Sequence, residues 1–318
     1  MRKVINKERV EGLIYDHTLT VKTVQSSESA NYGKNFISGN LDIATDDDCE
    51  NIVTVHYTYV AEATKSGAKN NTYTALNSII ESGKTILSDG AADATMVRLD
   101  PSLALNDFYS DRAITDTNPE GLVSSKRNEG GFATIVTKLS APESRNTFEA
   151  DMLINGTRYI EPDEERGTEG YLVVKGAIFN FRGSILPVEF FVRSKGGIDY
   201  FEGLEASASN LVFTKVWGRI VSHQESVKRV EESAFGEDKS VDFVKTTKEW
   251  VITGAAKEPY EIDDAENGIT IEEIKKAMAD REVYLADVKK RQEEYQATKE
   301  TPSVASASAP AAAGGFNF

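Results

Sequence analysis

At 318 residues, with 40 % hydrophobic and 9 % aromatic side chains, the chain is long enough to build two domains with real cores. Its formal net charge of −15, from 36 basic and 51 acidic residues, argues against coating duplex DNA by bulk charge, though it leaves room for a local basic groove. No stretch approaches the roughly 18–20 apolar residues of a membrane helix. The start, Met1 to Lys7, lacks a signal-peptide core, and Cys49 as single cysteine excludes an internal disulfide, so a reducing, cytoplasmic setting is expected.

Residues 1–140 read as a β region. Val10, Gly12 and Ile14 alternate with Glu11, Leu13 and Tyr15 as in a strand, and Leu19, Val21 and Thr23 continue it. Residues 26–31 are a polar loop. A second strand spans 36–44, with Ile37, Leu41 and Ile43 on one face, and a β-branched and aromatic third spans 52–60. Tyr73, Leu76, Ile79 and Ile80 have helical spacing over 71–82, and Gly83 stops that helix. Extended structure resumes at 85–87, 95–99 and 132–139. Three strands, a helix and further strands are the order of an OB-fold, a small Greek-key barrel.

A charged segment around Glu161-Pro162-Asp163-Glu164-Glu165 makes 141–167 a linker or long loop. A second β region, possibly OB-like, occupies 168–255. Its strands are expected at 170–181, 185–193, 211–221 and 250–253, the first two joined by a turn at Arg182-Gly183-Ser184. Thr270-Ile271-Glu272-Glu273 is a capping box opening an amphipathic helix over 268–297. Ile271, Ile274, Met278, Leu285, Val288 and Tyr295 form its apolar stripe. Residues 298–318 are Ala/Ser/Pro-rich, expected to be disordered, and carry an aromatic tip. The fold class is therefore mainly β, OB-fold-like, with a C-terminal helix and a tail.

Enzyme constellations are not found. His17, His56 and His223 are scattered without paired cysteines, so no metal site is expected. There is no phosphate loop, dinucleotide fingerprint or nucleophile elbow. Asp46-Asp47-Asp48 lacks the spacing of a calcium loop and reads as a solvated turn. No cofactor and no catalysis are expected.

The hairpin of the second region is more informative, because alternate strand residues face opposite ways. Leu172, Val174, Gly176 and Ile178 face a core, as do Leu186, Val188, Phe190 and Val192. That directs Lys175, Phe179, Phe181, Phe191, Arg193 and Lys195 outward. Aromatics mixed with cations suit single-stranded nucleic acid, whose bases stack and whose phosphates need neutralising. The same face could equally pack on the other domain or a partner subunit. In the first region, Tyr15, Lys34 and Phe36 take the side opposite the core, while Tyr57 and Tyr59 are assigned to it. Lys126 and Arg127, in a Gly-flanked loop with Phe132, are either a phosphate contact or a solvated loop. Trp217 could stack a base or fill an interface.

With these residues in view, the chain resembles OB-fold single-stranded DNA-binding proteins of phage and bacterial type. The resemblance is carried by Val10-Glu11-Gly12-Leu13-Ile14-Tyr15-Asp16, by Gly33-Lys34-Asn35-Phe36-Ile37-Ser38-Gly39-Asn40-Leu41, and by the helix before Gly83-Lys84-Thr85-Ile86. A folded body, a low-complexity linker and a tip ending in Phe318 complete it. It implies sequence-tolerant single-stranded DNA binding in phage DNA replication or recombination. It also implies recruitment of replication or recombination partners by the tip, with Phe316 and Phe318 as anchors. The family's tip is acidic, whereas Gly314-Gly315-Phe316-Asn317-Phe318 has no acidic side chain. The competing expectation is a virion or assembly protein using the aromatic face as a homo-oligomer interface; no membrane partner is expected.

Overall fold

A computed structural model describes residues 4–162, 169–231, 235, 239–264, 266 and 268–300; the side chains of 223–231, 239–247 and 297–300 are outside that description. The elements in order are β1 (Asn6–His17), β2 (Thr20–Thr23), β3 (Asn35–Ala44), β4 (Ile52–Ala61), α1 (Asn71–Ser82), α2 (Ile86–Asp89), β5 (Met96–Tyr109), β6 (Leu122–Ile135), β7 (Asn146–Ile160), β8 (Tyr171–Phe179), β9 (Ile185–Val192), α3 (Lys195–Gly203), β10 (Val212–Glu231), β11 (Lys239–Ala255) and α4 (Ile271–Glu300).

The pairings close two rings. In the first, β1 pairs antiparallel with β3 and β5, β3 with β4, and β4 lies parallel to β6, which neighbours β5. In the second, β7 pairs antiparallel with β8 and β10, β8 with β9, and β9 lies parallel to β11, which pairs with β10. Each ring has a helix, α1 or α3, between its third and fourth strands. Both are five-stranded OB-type barrels. They share a seam, because β1 also pairs antiparallel with β7, Asn6 opposite Ala150 through Val10 opposite Asn146. β1 serves three neighbours with successive segments: Asn6–Val10 faces β7, Val10–Leu13 faces β5, and Leu13–His17 faces β3 across a register shift between Ile14 and Asp16. At Gly12 a Cβ would sit 1.9 Å from the Ala44 carbonyl oxygen, so only glycine allows the strand that approach.

One buried cluster fills both barrels, including Val10, Ile14, Leu41 and Val97 in the first and Phe148, Phe190, Val216 and Trp250 in the second. Burying each such side chain contributes about 1.5–3 kcal/mol. α1 closes the first barrel with Leu76 and Ile79, and the Asn70 side chain caps it by accepting from the Thr72 N–H at 3.1 Å. A smaller cluster joins Leu153, Phe179 and Phe213 to Ile269, Ile274 and Ala277 of the α4 start. There the expected capping box forms: the Glu273 N–H donates to Thr270 Oγ1 at 3.2 Å and the Thr270 N–H to Glu273 Oε2 at 3.0 Å.

The molecule divides into two compact units. Met1–Asn106 with Ser124–Arg281 contains both barrels, and Asp107–Val123 with Glu282–Phe318 forms the other. Within that smaller unit the Tyr109 N–H donates to Gln292 Oε1 at 2.9 Å, and Lys289 pairs with Glu120 at 3.0 Å.

Several expectations need correction. Residues 146–160 of the expected linker are β7, the first strand of the second barrel, and residues 163–167 lie outside the described residues. Lys195 opens a helix, α3, whose N-cap is Ser194, rather than extending the hairpin strand. Residues 86–89 are a helical turn, not extended chain. Lys126 and Arg127 lie on β6, not in a loop. On α4 the inward face is Ile274, Ala277 and Arg281, while Ile271, Met278 and Tyr295 are exposed. Residues 301–318, including Phe316 and Phe318, lie outside the described residues.

Candidate nucleic-acid interface

The outward face of β8 and β9 gathers part of the expected set. Val173 lies opposite Phe191 and Lys175 opposite Glu189. Phe191 is half-buried and meets Tyr171 edge-on, ring centroids 5.5 Å apart. The Arg193 guanidinium sits 5.1 Å from the Tyr171 ring centre and pairs with Glu249 at 2.6 Å. Lys126 reaches over from β6, its ammonium 4.7 Å from the Phe191 ring centre and 5.2 Å from that of buried Trp250. Burial there pushes the Lys126 ammonium down to about 8, against the pull of Glu189 and Glu249. Nearby Lys248 is also lowered by burial, and His56 is lowered by burial and by the charges of Arg127 and Lys248. Arg127 pairs with Glu129 at 2.5 Å and donates to Thr58 Oγ1 at 3.0 Å. Tyr171 and Phe191 thus lie against two cations, Arg193 of the second barrel and Lys126 of the first.

Other expected residues are placed elsewhere. Phe179 is fully buried, meeting Phe213 edge-on beneath α4, so it cannot stack a base. The outer side of its strand is covered by a helix that lies far along the chain. Phe181 is 91 % exposed on the β8–β9 turn, with Arg182 5.2 Å from its ring centre. Lys175 pairs with Glu189 at 3.4 Å and Lys195 with Asp199 at 3.5 Å. Trp217 lies along Gly254, where a Cβ would meet its Nε1 at 2.4 Å, with Lys215 5.9 Å from its ring centre. Tyr15 is half-buried on β1.

Lys34 belongs to a different feature, a groove of about 1710 Å³ beside α1 in the first barrel, and Phe36 lies behind one of its lining rings. Phe36 stacks on Tyr59, centroids 4.6 Å apart, and Lys34 Nζ donates to Asn31 Oδ1 at 3.1 Å on the rim. Sequence reasoning assigned Tyr59 to the core, yet it is 44 % exposed: Ile37 pairs with Val60 but Gly39 with Tyr57, so β4 carries an extra residue there and Tyr59 falls in the bulge, out of the strand alternation. It overlooked Tyr171, Trp250 and Lys248, whose importance depends on which strands become neighbours. The aromatic–cation alternation at Tyr171, Phe191 and Arg193 was the available signal.

Asp46 caps its own turn, accepting from the Glu50 and Asn51 N–H groups, and Asp47 pairs with Arg145 at 2.6 Å. Among the described residues no group of three His, Cys, Asp or Glu is placed to hold a metal ion, and no helix is long and apolar enough to cross a membrane.

A family model described as YorF matches residues 12–291, nearly all of both barrels and most of α4. The chain belongs to the YorF family. No curated protein matches this YorF-family chain in sequence. Among solved structures it is similar to a deletion variant of the single-stranded DNA binding protein from Thermus aquaticus, at 10 % identity and TM-score 0.44, covering 84 % of this chain and 100 % of that one. The wild-type protein from the same organism aligns at 8 % identity and TM-score 0.45, covering 81 % of this chain and 95 % of that one.

Proposed function

We propose that this YorF-family protein binds single-stranded DNA without sequence preference and without catalysis, in DNA replication or recombination. The observation that carries the reading is the cluster on the second barrel, where Tyr171 and Phe191 lie among Lys126, Arg193 and Lys175. Bases stacked on such rings gain about 1–3 kcal/mol each, whatever their identity, and cations alongside track the phosphates. The ion pairs of Lys175 and Arg193 are partly solvated. Exposed pairs of this kind are worth only about 0–1 kcal/mol, so phosphates can displace the carboxylates. The overall negative charge then disfavours duplex, whose denser phosphates meet repulsion beyond the cluster.

The test is a Phe191→Ala/Arg193→Ala variant in an oligonucleotide titration. It removes one stacking ring and one cation, and an affinity loss of about tenfold or more is expected. An unchanged affinity would remove this face from the site.

A further inference from the structure

The first barrel carries a groove that the cluster above does not use. It lies between the β2–β3 connection, the end of β4, the face of α1 and residues 130–132 of β6. Its walls are aromatic. Tyr59 is 44 % and Phe132 73 % exposed, large apolar surfaces left in water along the groove. Phe132 is brought to the rim by two consecutive left-handed glycines, Gly130 at φ 66° and Gly131 at φ 86°. Tyr57 also lines the groove, and its hydroxyl is buried with no hydrogen-bond partner. Such a donor costs stability unless something completes it. The rim bears Lys34, Lys65 and Lys69 against Glu62 and Glu81. Unlike Lys175 and Arg193, Lys65 and Lys69 have no carboxylate partner among the described residues. In a chain of net charge −15, unpaired lysines beside exposed rings are a specific investment in an anionic, aromatic ligand.

We propose that this groove seats an unstacked nucleotide: the base lies against the exposed rings of Tyr59 and Phe132, and Lys65 and Lys69 hold the adjoining phosphates. The inference rests on the strand-binding reading above and adds to it a second, separate contact for the same strand, on the other barrel.

The experiment is an anisotropy titration of a fluorescein-labelled thymidine oligonucleotide against the full chain and three variants: Tyr59→Ala/Phe132→Ala, Lys65→Ala/Lys69→Ala and Phe191→Ala. The groove substitutions are of rim residues, so a melt of each variant should match wild type within a few degrees. Each groove variant is expected to lose about tenfold or more in affinity, and Lys65→Ala/Lys69→Ala to show a shallower salt dependence. Free thymidine monophosphate is the competitor. Displacement only at concentrations far above those of the oligonucleotide supports a strand-borne nucleotide, and displacement at equal concentration overturns that in favour of a free one. Wild-type binding that Phe191→Ala weakens while both groove variants stay within twofold overturns the groove and leaves the strand-binding reading standing. No wild-type binding at all overturns both.

Discussion

Replacing Glu8 with leucine should stabilise the protein, and by more at neutral pH than at acid pH. Glu8 sits on β1 opposite Phe148 of β7, on the seam between the barrels, and is only 4 % exposed. It alternates with Lys7 and Arg9, which point outward to Glu149 and Asp100, so its own side chain shares the core face of Val10. Neither carboxyl oxygen has a hydrogen-bond partner. Burial therefore pushes the Glu8 carboxyl well above 4.5. A buried polar group left unsatisfied costs about 1–3 kcal/mol, and a leucine of similar reach removes that cost. For a chain of this size the gain corresponds to about 1.5–4.5 °C in Tm. The pH dependence has a definite sign. Between the ordinary value and the raised one, the folded protein holds a proton that the unfolded chain has released. Stability falls as pH rises through that window, and what the protonated group contributes is fully present only below it. Glu8→Leu lacks this fall, so its advantage should widen from about pH 5 to about pH 8 in parallel melts. Glu8→Gln, which keeps the shape but cannot ionise, should follow the same trend. An advantage that is constant or shrinking with pH would refute the reasoning.

Gly131→Ala should cost more than about 2 kcal/mol in chemical denaturation, since φ is 86° and the new Cβ would lie 1.9 Å from the Asp100 carbonyl oxygen; a change under about 0.5 kcal/mol would contradict this. Glu11 is fully buried, and although burial opposes its charge, hydrogen bonds from Arg98 at 2.7 Å and from Ser140 hold its carboxyl below 4.5. Arg98→Met should therefore cost about 2–3 kcal/mol at neutral pH, at the low end for a buried pair because Arg98 is partly solvated. A lowered carboxylate contributes stability above its ordinary value that is lost as pH falls, so the deficit should shrink towards about pH 3 in urea titrations. Lys126 is charged below about 8 and neutral above it, so oligonucleotide affinity should weaken as pH rises past that value. In Lys126→Arg, whose guanidinium stays charged, the weakening should disappear.

Much of the first barrel was legible because its signals are local. Strand alternation located β3 and β4 almost to the residue, and Tyr73, Leu76, Ile79 and Ile80 marked the face of α1 with Gly83 its C-terminal end. The capping box at Thr270 and Glu273 was equally local. The second barrel was obscured where identity depends on distant partners. β7 mixes buried Phe148, Ala150 and Met152 with buried Asp151, so its apolar pattern is broken by a carboxylate that accepts from the Ile5 N–H. Phe179 alternates correctly for an outward residue, but a sheet face is outward only until something covers it. Ile269, Ile274 and Ala277 supply that cover from about ninety residues away, beyond the reach of strand periodicity. The candidate interface divides in the same way. Phe191 and Arg193 could be read from one strand, whereas their juxtaposition with Lys126, Tyr171 and Trp250 exists only after the barrels close.

The most direct test of strand binding is the affinity of the full chain for a labelled thymidine oligonucleotide and for a duplex of equal length, each titrated between about 50 and 200 mM salt. Cations at the cluster (Lys126, Lys175, Arg193) and at the groove rim (Lys34, Lys65, Lys69) set the expected salt slope near −4, a loss of roughly 250–350-fold across that range. Tight single-strand binding with that slope, and much weaker duplex binding, is the predicted result. No binding at low salt, or equal affinity for the duplex, would contradict it.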